Sequence, residues 1–252
     1  MKRLFFSGVV HPERLGLTLD TIDQVLASQD GTKLGDMKFS IQNGQITAVM
    51  EWENDSEDIF TLRNILKTFV EPILNIIGFL KGYAFDLEIT KVFESDLKEI
   101  RVFNNDIPAL AERNKTRDLT EAKNIYPLCS GPEGIYLRRC LGDLNMAMKH
   151  ADDTPFYCYR ALESLKQYFG FANGITGDLE QWKSMATALG GKEEDVTPIK
   201  DLAFPARHGI PDPITDQKRR DIFLLTWDIV ERFIDYSLKQ CGVTYRLHPC
   251  HD

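Results

Sequence analysis

The spacing of apolar residues changes between residues 104 and 134, and this change constrains the fold more than any other feature of the sequence. Before it, apolar and polar residues alternate over short stretches, as in strands, around one long apolar run. After it, apolar residues recur every three or four positions, as in packed helices. The sequence therefore predicts an α+β protein with a small α+β domain over 1–104, a linker over 105–133 and a helical domain over 134–252.

The first domain is predicted to be a small antiparallel sheet with one long helix. Asn43-Gly44 separates two β-rich runs, and this pair suits the positive φ angles of a two-residue hairpin turn. Residues 83–93 and 98–103 alternate in the same way and predict two further strands.

The long helix between these strands is predicted to begin at an N-cap, Asp55 or Ser56, and to continue to about Leu80. Pro72 lies inside it and removes one backbone donor, which predicts a kink. Gly82 is expected to end the helix.

The second domain is predicted to contain five helices. The stretch Asp152-Asp153-Thr154-Pro155 is a typical helix start, an N-cap candidate followed by proline at the first helical position. The predicted helices cover residues 135–150, 156–169, 178–189, 193–206 and, from Thr215 or Asp216, the stretch to Leu238.

Composition limits the classes of function. The net charge is −8, so the chain as a whole is not a typical nucleic-acid binder. No apolar run reaches the roughly 18 residues that a membrane span needs, which predicts no membrane partner. The five cysteines form no C-x-x-C pair and predict reduced thiols in a cytoplasmic protein. Sequence motifs for a cofactor or a catalytic metal are absent, so neither is expected.

Two places in the helical domain could support chemistry. Arg160, Glu163 and Ser164 share one face of a predicted helix, where Arg160 and Glu163 could pair; the alternative is an ordinary exposed ion pair. His208-Gly209 ends a predicted helix close to a proline-rich turn. This pair could display an imidazole at the surface, or His208 could serve only to end the helix, with Gly209 in the left-handed conformation.

These segments resemble the HEPN superfamily. The resemblance covers about residues 134–239 and consists of Tyr159-Arg160-Ala161-Leu162-Glu163 in an early helix, His208-Gly209 at the end of a later one, and a long last helix. It implies an up-and-down bundle that forms a homodimer through the helical domain. Active members are metal-independent RNA endonucleases, often toxins or phage-defence effectors, so the resemblance also implies RNA as a partner.

Transferred residue by residue, the resemblance implies His208 as the catalytic histidine and Glu163 as the early acid. In the family, an arginine precedes the histidine by four to six intervening residues. Those positions here are Asp201, Leu202 and Ala203, and none is basic. Arg207 or Arg160 would then supply the cation. RNA cleavage needs a base for the 2′-hydroxyl, an acid for the 5′-oxygen and a cation for the phosphorane, and an imidazole can perform either proton transfer.

The second hypothesis is a catalytically inactive, dimeric binding or regulatory module with a protein partner in a defence or toxin–antitoxin system. The missing upstream arginine and the acidic balance favour it. The C-terminal tail offers a separate candidate, because His248, Cys250, His251 and Asp252 are all metal-ligand types. No matching ligand pair occurs elsewhere in the sequence, and the spacing of Arg246 to His251 beyond the last helix is interpreted as chance.

Overall fold

The computed structural model describes residues 2–28, 31–53, 58–95, 100–103, 107–210 and 214–240. The chain divides into two compact units, which we call the sheet unit, Met1–Asn105, and the helical unit, Asp106–Asp252. The protein is thus α+β, with strands and one long helix in the first unit and helices in the second. Among the helices that the structure describes, none has an apolar stretch long enough to span a bilayer.

The sheet unit is a curled, six-stranded antiparallel sheet with strand order β2-β3-β4-β1-β5-β6. The Asn43-Gly44 hairpin is confirmed, with φ angles of 50° and 79° at the turn between β3 and β4. The strand β2 was not expected from the sequence. The strands are β1 Lys2–His11, β2 Leu19–Ala27, β3 Lys33–Gln42, β4 Gln45–Trp52, β5 Asp86–Glu94 and β6 Ile100–Val102.

The long helix α1 covers Ile59–Lys81 and continues through Pro72. Its N-cap is Asp58, whose carboxylate accepts hydrogen bonds from the backbone N–H groups of Phe60 and Thr61 at 2.7 and 3.1 Å. The predicted caps, Asp55 and Ser56, lie outside the described residues. Gly82 ends the helix at a φ of 70°, as predicted. Buried residues of α1 and of the strands form one hydrophobic core, so one face of the sheet is covered by this helix.

Over its described residues, the helical unit forms the five predicted helices and two shorter α-helices that precede them. Residues 107–133, which the sequence assigns to a linker, contain the short helices, and Ile107 and Leu110 are part of the helical core. The helices are α2 Pro108–Asn114, α3 Ala122–Ile125, α4 Gly134–Lys149, α5 Thr154–Asn173, α6 Asp178–Ala188, α7 Thr197–Arg207 and α8 Asp216–Gln240.

The helix α5 packs against α4, α6, α7 and α8 and is the centre of the helical unit. Its apolar residues Leu162, Leu165 and Phe169 are almost fully buried. Consecutive side chains of a helix point about 100° apart, so neighbouring residues of α5 face different surroundings. This arrangement positions the candidate site residues.

Candidate functional site

His208 directly follows α7 and has two separate roles in the structure. Its backbone ends the helix, since the N–H groups of His208 and Gly209 bond to the carbonyls of Pro205 and Ala206 at 3.0 and 3.2 Å, and Gly209 is left-handed at a φ of 68°. Its imidazole is exposed and contacts the exposed ring of Phe204, with the ring centroids 4.4 Å apart. The residue therefore terminates a helix and also presents its ring to solvent.

Arg207 connects the end of α7 to α5. Its guanidinium lies over the ring of Tyr159, 5.2 Å from the centroid, and the other neighbour of that ring is Trp182 of α6 at 5.9 Å. Burial raises the pKa of the Tyr159 hydroxyl, the nearby carboxylate of Glu163 raises it further, and Arg207 acts against both. The pKa of the Tyr159 hydroxyl is therefore influenced by a guanidinium from α7 and by a carboxylate of its own helix.

Arg160 pairs across helices and not along its own helix. The sequence predicted that it could pair with Glu163, but its guanidinium lies 3.1 Å from a carboxylate oxygen of Asp143 on α4. The rings of Phe156 and Tyr157 lie 5.3 and 5.8 Å from the same guanidinium. Asp143 is only 8% exposed. Burial raises the pKa of its carboxyl, and the charges of Arg160 and Arg139 act against this rise.

A polar groove of about 800 Å³ lies between α4 and α5, and we call it the α4–α5 groove. Arg160 and Glu163 line it from α5, and Arg139 and Asp143 line it from α4. His208 and Arg207 are not among its lining residues. Of the four predicted site residues, the structure thus brings Arg160 and Glu163 into one groove and places Arg207 and His208 at the end of α7.

Sequence reasoning missed Asp143 and Tyr159. Asp143 lies between Cys140 and Ala147, two buried residues of α4, and a carboxylate on the buried side of a helix is a signal that a cationic partner is required. Tyr159 precedes Arg160 and is only 3% exposed, which the pattern of α5 alone did not indicate.

No cluster of three or more histidine, cysteine, aspartate or glutamate side chains suited to a metal ion occurs in the described part of the chain. The tail candidates His248, Cys250, His251 and Asp252, together with the Arg246–His251 spacing, lie outside the described residues.

The chain matches two models of one protein family. Residues 4–103 match the N-terminal domain, and residues 122–238 match the C-terminal domain, of a family described as a domain of unknown function, DUF8168. No curated protein and no solved structure matches the chain. The two matched segments fall within the sheet unit and the helical unit, and neither description states an activity.

Proposed function

We propose that the helical unit acts on RNA as a metal-independent endoribonuclease of the HEPN type, in which His208 transfers protons. The proposal rests on one observation: the imidazole of His208 is exposed at the end of α7, directly after an arginine whose guanidinium is held against α5. An exposed imidazole can reach a substrate, whereas one packed into the apolar core could not. The proposal assigns the phosphate to Arg207, the residue directly before His208, because a guanidinium is a strong donor to phosphate oxygens.

The reaction needs two proton transfers. A base removes the proton from the 2′-hydroxyl, the freed oxygen attacks the adjacent phosphorus, and the bond from phosphorus to the 5′-oxygen breaks as an acid protonates that oxygen. The products are a 2′,3′-cyclic phosphate and a 5′-hydroxyl. In this proposal the guanidinium of Arg207 has the role of stabilising the negative charge of the phosphorane. Since each chain supplies one His208, a homodimer through the helical unit would provide both the base and the acid.

Substitution of His208 by alanine tests the proposal. The wild-type protein is expected to convert single-stranded RNA into fragments that end in cyclic phosphate, in the presence of a chelator, and His208→Ala is expected to lose at least ~100-fold in rate. Thermal melting of the variant should be close to that of the wild type, because the ring is exposed.

His11→Gln is the matched control. His11 is half-exposed in the sheet unit, where it lies 3.0 Å from Glu88, so its removal should leave cleavage unchanged. Cleavage by His208→Ala at the wild-type rate would overturn the catalytic proposal. A monomer by light scattering at micromolar concentration would overturn the shared arrangement of two histidines.

One observation favours the second candidate, an inactive dimeric binding or regulatory module. Both candidate guanidiniums already have partners within the chain, Arg160 with Asp143 and Arg207 with Tyr159. This module would be supported if the protein is a dimer that binds RNA or a protein partner but does not cleave RNA. Wild type and His208→Ala would then both leave RNA intact.

A further inference from the structure

Gly142 stands apart from the other glycines inside the described α-helices. At the other three positions a Cβ atom would collide with the chain: Gly78 with a carbonyl oxygen 2.5 Å away, Gly134 with a carbonyl carbon at 2.3 Å and Gly170 with a side-chain nitrogen at 2.4 Å. At Gly142 a Cβ would meet nothing within 4 Å. Packing therefore explains the other three glycines but not this one.

A glycine in the middle of a helix has a cost, because it weakens the helix relative to alanine. Gly142 lies near the middle of α4 and lines the α4–α5 groove. A side chain there would project into space that is now open. A glycine that weakens a helix without a packing reason is typical of a functional position. Gly142 leaves the backbone of α4 uncovered at the groove.

The walls of the groove differ along its length. Because α4 and α5 run in opposite directions, Tyr136 at the start of α4 meets Phe171 near the end of α5, with their ring centroids 6.1 Å apart. Tyr136 lines the groove, whereas Phe171, which is 57% exposed, lies beside this end and is not a lining residue. The aromatic character of this end therefore comes from Tyr136, with Phe171 next to it. At the other end Arg160 pairs with Asp143. The lining residues of α4 from Tyr136 to Met146 extend over ~15 Å of helix.

Arg139 lies between these two ends and supplies charge to the groove. It is exposed and forms no ion pair with any residue that the structure describes. Its charge acts on Asp143, but the ion pair of Asp143 is with Arg160. Guanidinium groups bind phosphate oxygens through paired hydrogen bonds, and exposed aromatic rings stack on unpaired bases. The other acid in the groove is Glu163, whose carboxylate can accept a hydrogen bond from the amino group of a cytosine.

We infer that the α4–α5 groove, with Gly142 as its open floor, binds single-stranded RNA, with a phosphate on Arg139 and a base on the aromatic end. The inference rests on the proposed action on RNA, but it concerns a groove that excludes His208 from its lining. Binding in the groove and cleavage at His208 can therefore be tested separately.

The test measures fluorescence anisotropy of a labelled oligocytidylate with residues 1–252 carrying His208→Ala, so that cleavage does not consume the probe. Adding Gly142→Leu fills the floor of the groove. Leucine is a better helix former than glycine and has free space at its Cβ. We expect this variant to melt at a higher temperature and yet to bind the RNA at least ~10-fold more weakly, a combination that misfolding cannot produce.

Two controls sharpen the result. Gly142→Ala should also raise the melting temperature, with a smaller loss of affinity, because a methyl group blocks less of the groove. Arg139→Ala should weaken binding and reduce the slope of log affinity against log salt by about one, whereas Arg220→Ala, an equal charge change at an exposed position of α8 outside the groove lining, should not.

Unchanged affinity in Gly142→Leu would overturn the groove as the binding site, and equal affinity for duplex RNA would overturn its preference for single strands. No detectable binding of the oligocytidylate at low salt would also overturn the inference. If the wild type still cleaves RNA in a His208-dependent manner, the proposed function survives any of these results. If the wild type does not cleave RNA but the groove still binds it, the proposed function falls and the binding site in the groove stands.

Discussion

Asp235 of α8 is a carboxylate in an environment that opposes its charge. It is only 4% exposed, and neither carboxylate oxygen has a hydrogen-bond partner among the described residues. Burial raises the pKa of this carboxyl and Glu231 raises it further, while the positive charges of Lys239 and Arg117 act against the rise. The native protein therefore binds a proton at this position more readily than the unfolded chain does.

This imbalance predicts the sign of a pH dependence. Since the folded pKa of Asp235 lies above its ordinary value of about 3.9, its contribution to the free energy of unfolding should grow as the pH falls through the folded pKa and level off below the unfolded one. Asp235→Asn should lack this pH-dependent contribution. The difference between the melting temperatures of the variant and the wild type should therefore change in this pH range. Asp152→Asn, at an exposed position, is the control. Parallel curves of melting temperature against pH for the wild type and Asp235→Asn would contradict the prediction.

At the same scale, the sequence identified candidate side chains but not their partners. Arg160 and Glu163 were found because residues three positions apart share a helix face, and both do line one groove. The partner of Arg160 is Asp143, on another helix, and its identity depends on how α4 and α5 are rotated about their axes. Local spacing contains no information on that rotation, so the cross-helix pair could not be predicted.

At the scale of elements, the sequence predicted several boundaries that local chemistry decides, although it missed Asp58 as the N-cap of α1. Asn43-Gly44 and Gly82 have the left-handed backbone that their residue types favour, and Thr154 begins α5. The strand β2 was missed because it lies at an edge of the sheet and most of its side chains are exposed. An edge strand of this kind lacks the alternation of apolar and polar residues that would reveal it.

Arg219 of α8 offers a test of how the helices are held together. It is 7% exposed; its Nε donates to the hydroxyl of Thr154 at 2.9 Å, and its Nη2 donates to the carbonyl of Met148 at 3.1 Å. One side chain thus ties α8 to the end of α4 and the start of α5. Arg219→Met should lower the free energy of unfolding in urea by about 3 kcal/mol, because it leaves these buried acceptors without a charged donor.

The neighbouring arginine supplies the comparison. Arg220 is exposed, so Arg220→Met should change the free energy of unfolding by less than about 0.5 kcal/mol. Equal losses in the two variants would show that the buried hydrogen bonds of Arg219 do not stabilise the junction.

At the scale of the whole molecule, each unit has a hydrophobic core of its own. The core of the sheet unit combines strands with α1, and the core of the helical unit is built around α5. We therefore expect a fragment of residues 106–252 to unfold cooperatively when melting is followed by circular dichroism. The same fragment should keep any cleavage that depends on His208. A gradual, non-cooperative melt would show that the helical unit needs the rest of the chain to fold.

The order of strands has a consequence for how the sheet unit is made. Its first strand, β1, pairs with β4 on one side and β5 on the other, so it lies inside the sheet. During synthesis β1 leaves the ribosome before either neighbour exists, and it must wait until residue 94 has emerged before both of its edges are paired. Translation from a start site after His11 would remove β1. The strands β2-β3-β4 and β5-β6 would then no longer be hydrogen-bonded into one sheet, and each group would have a newly exposed edge.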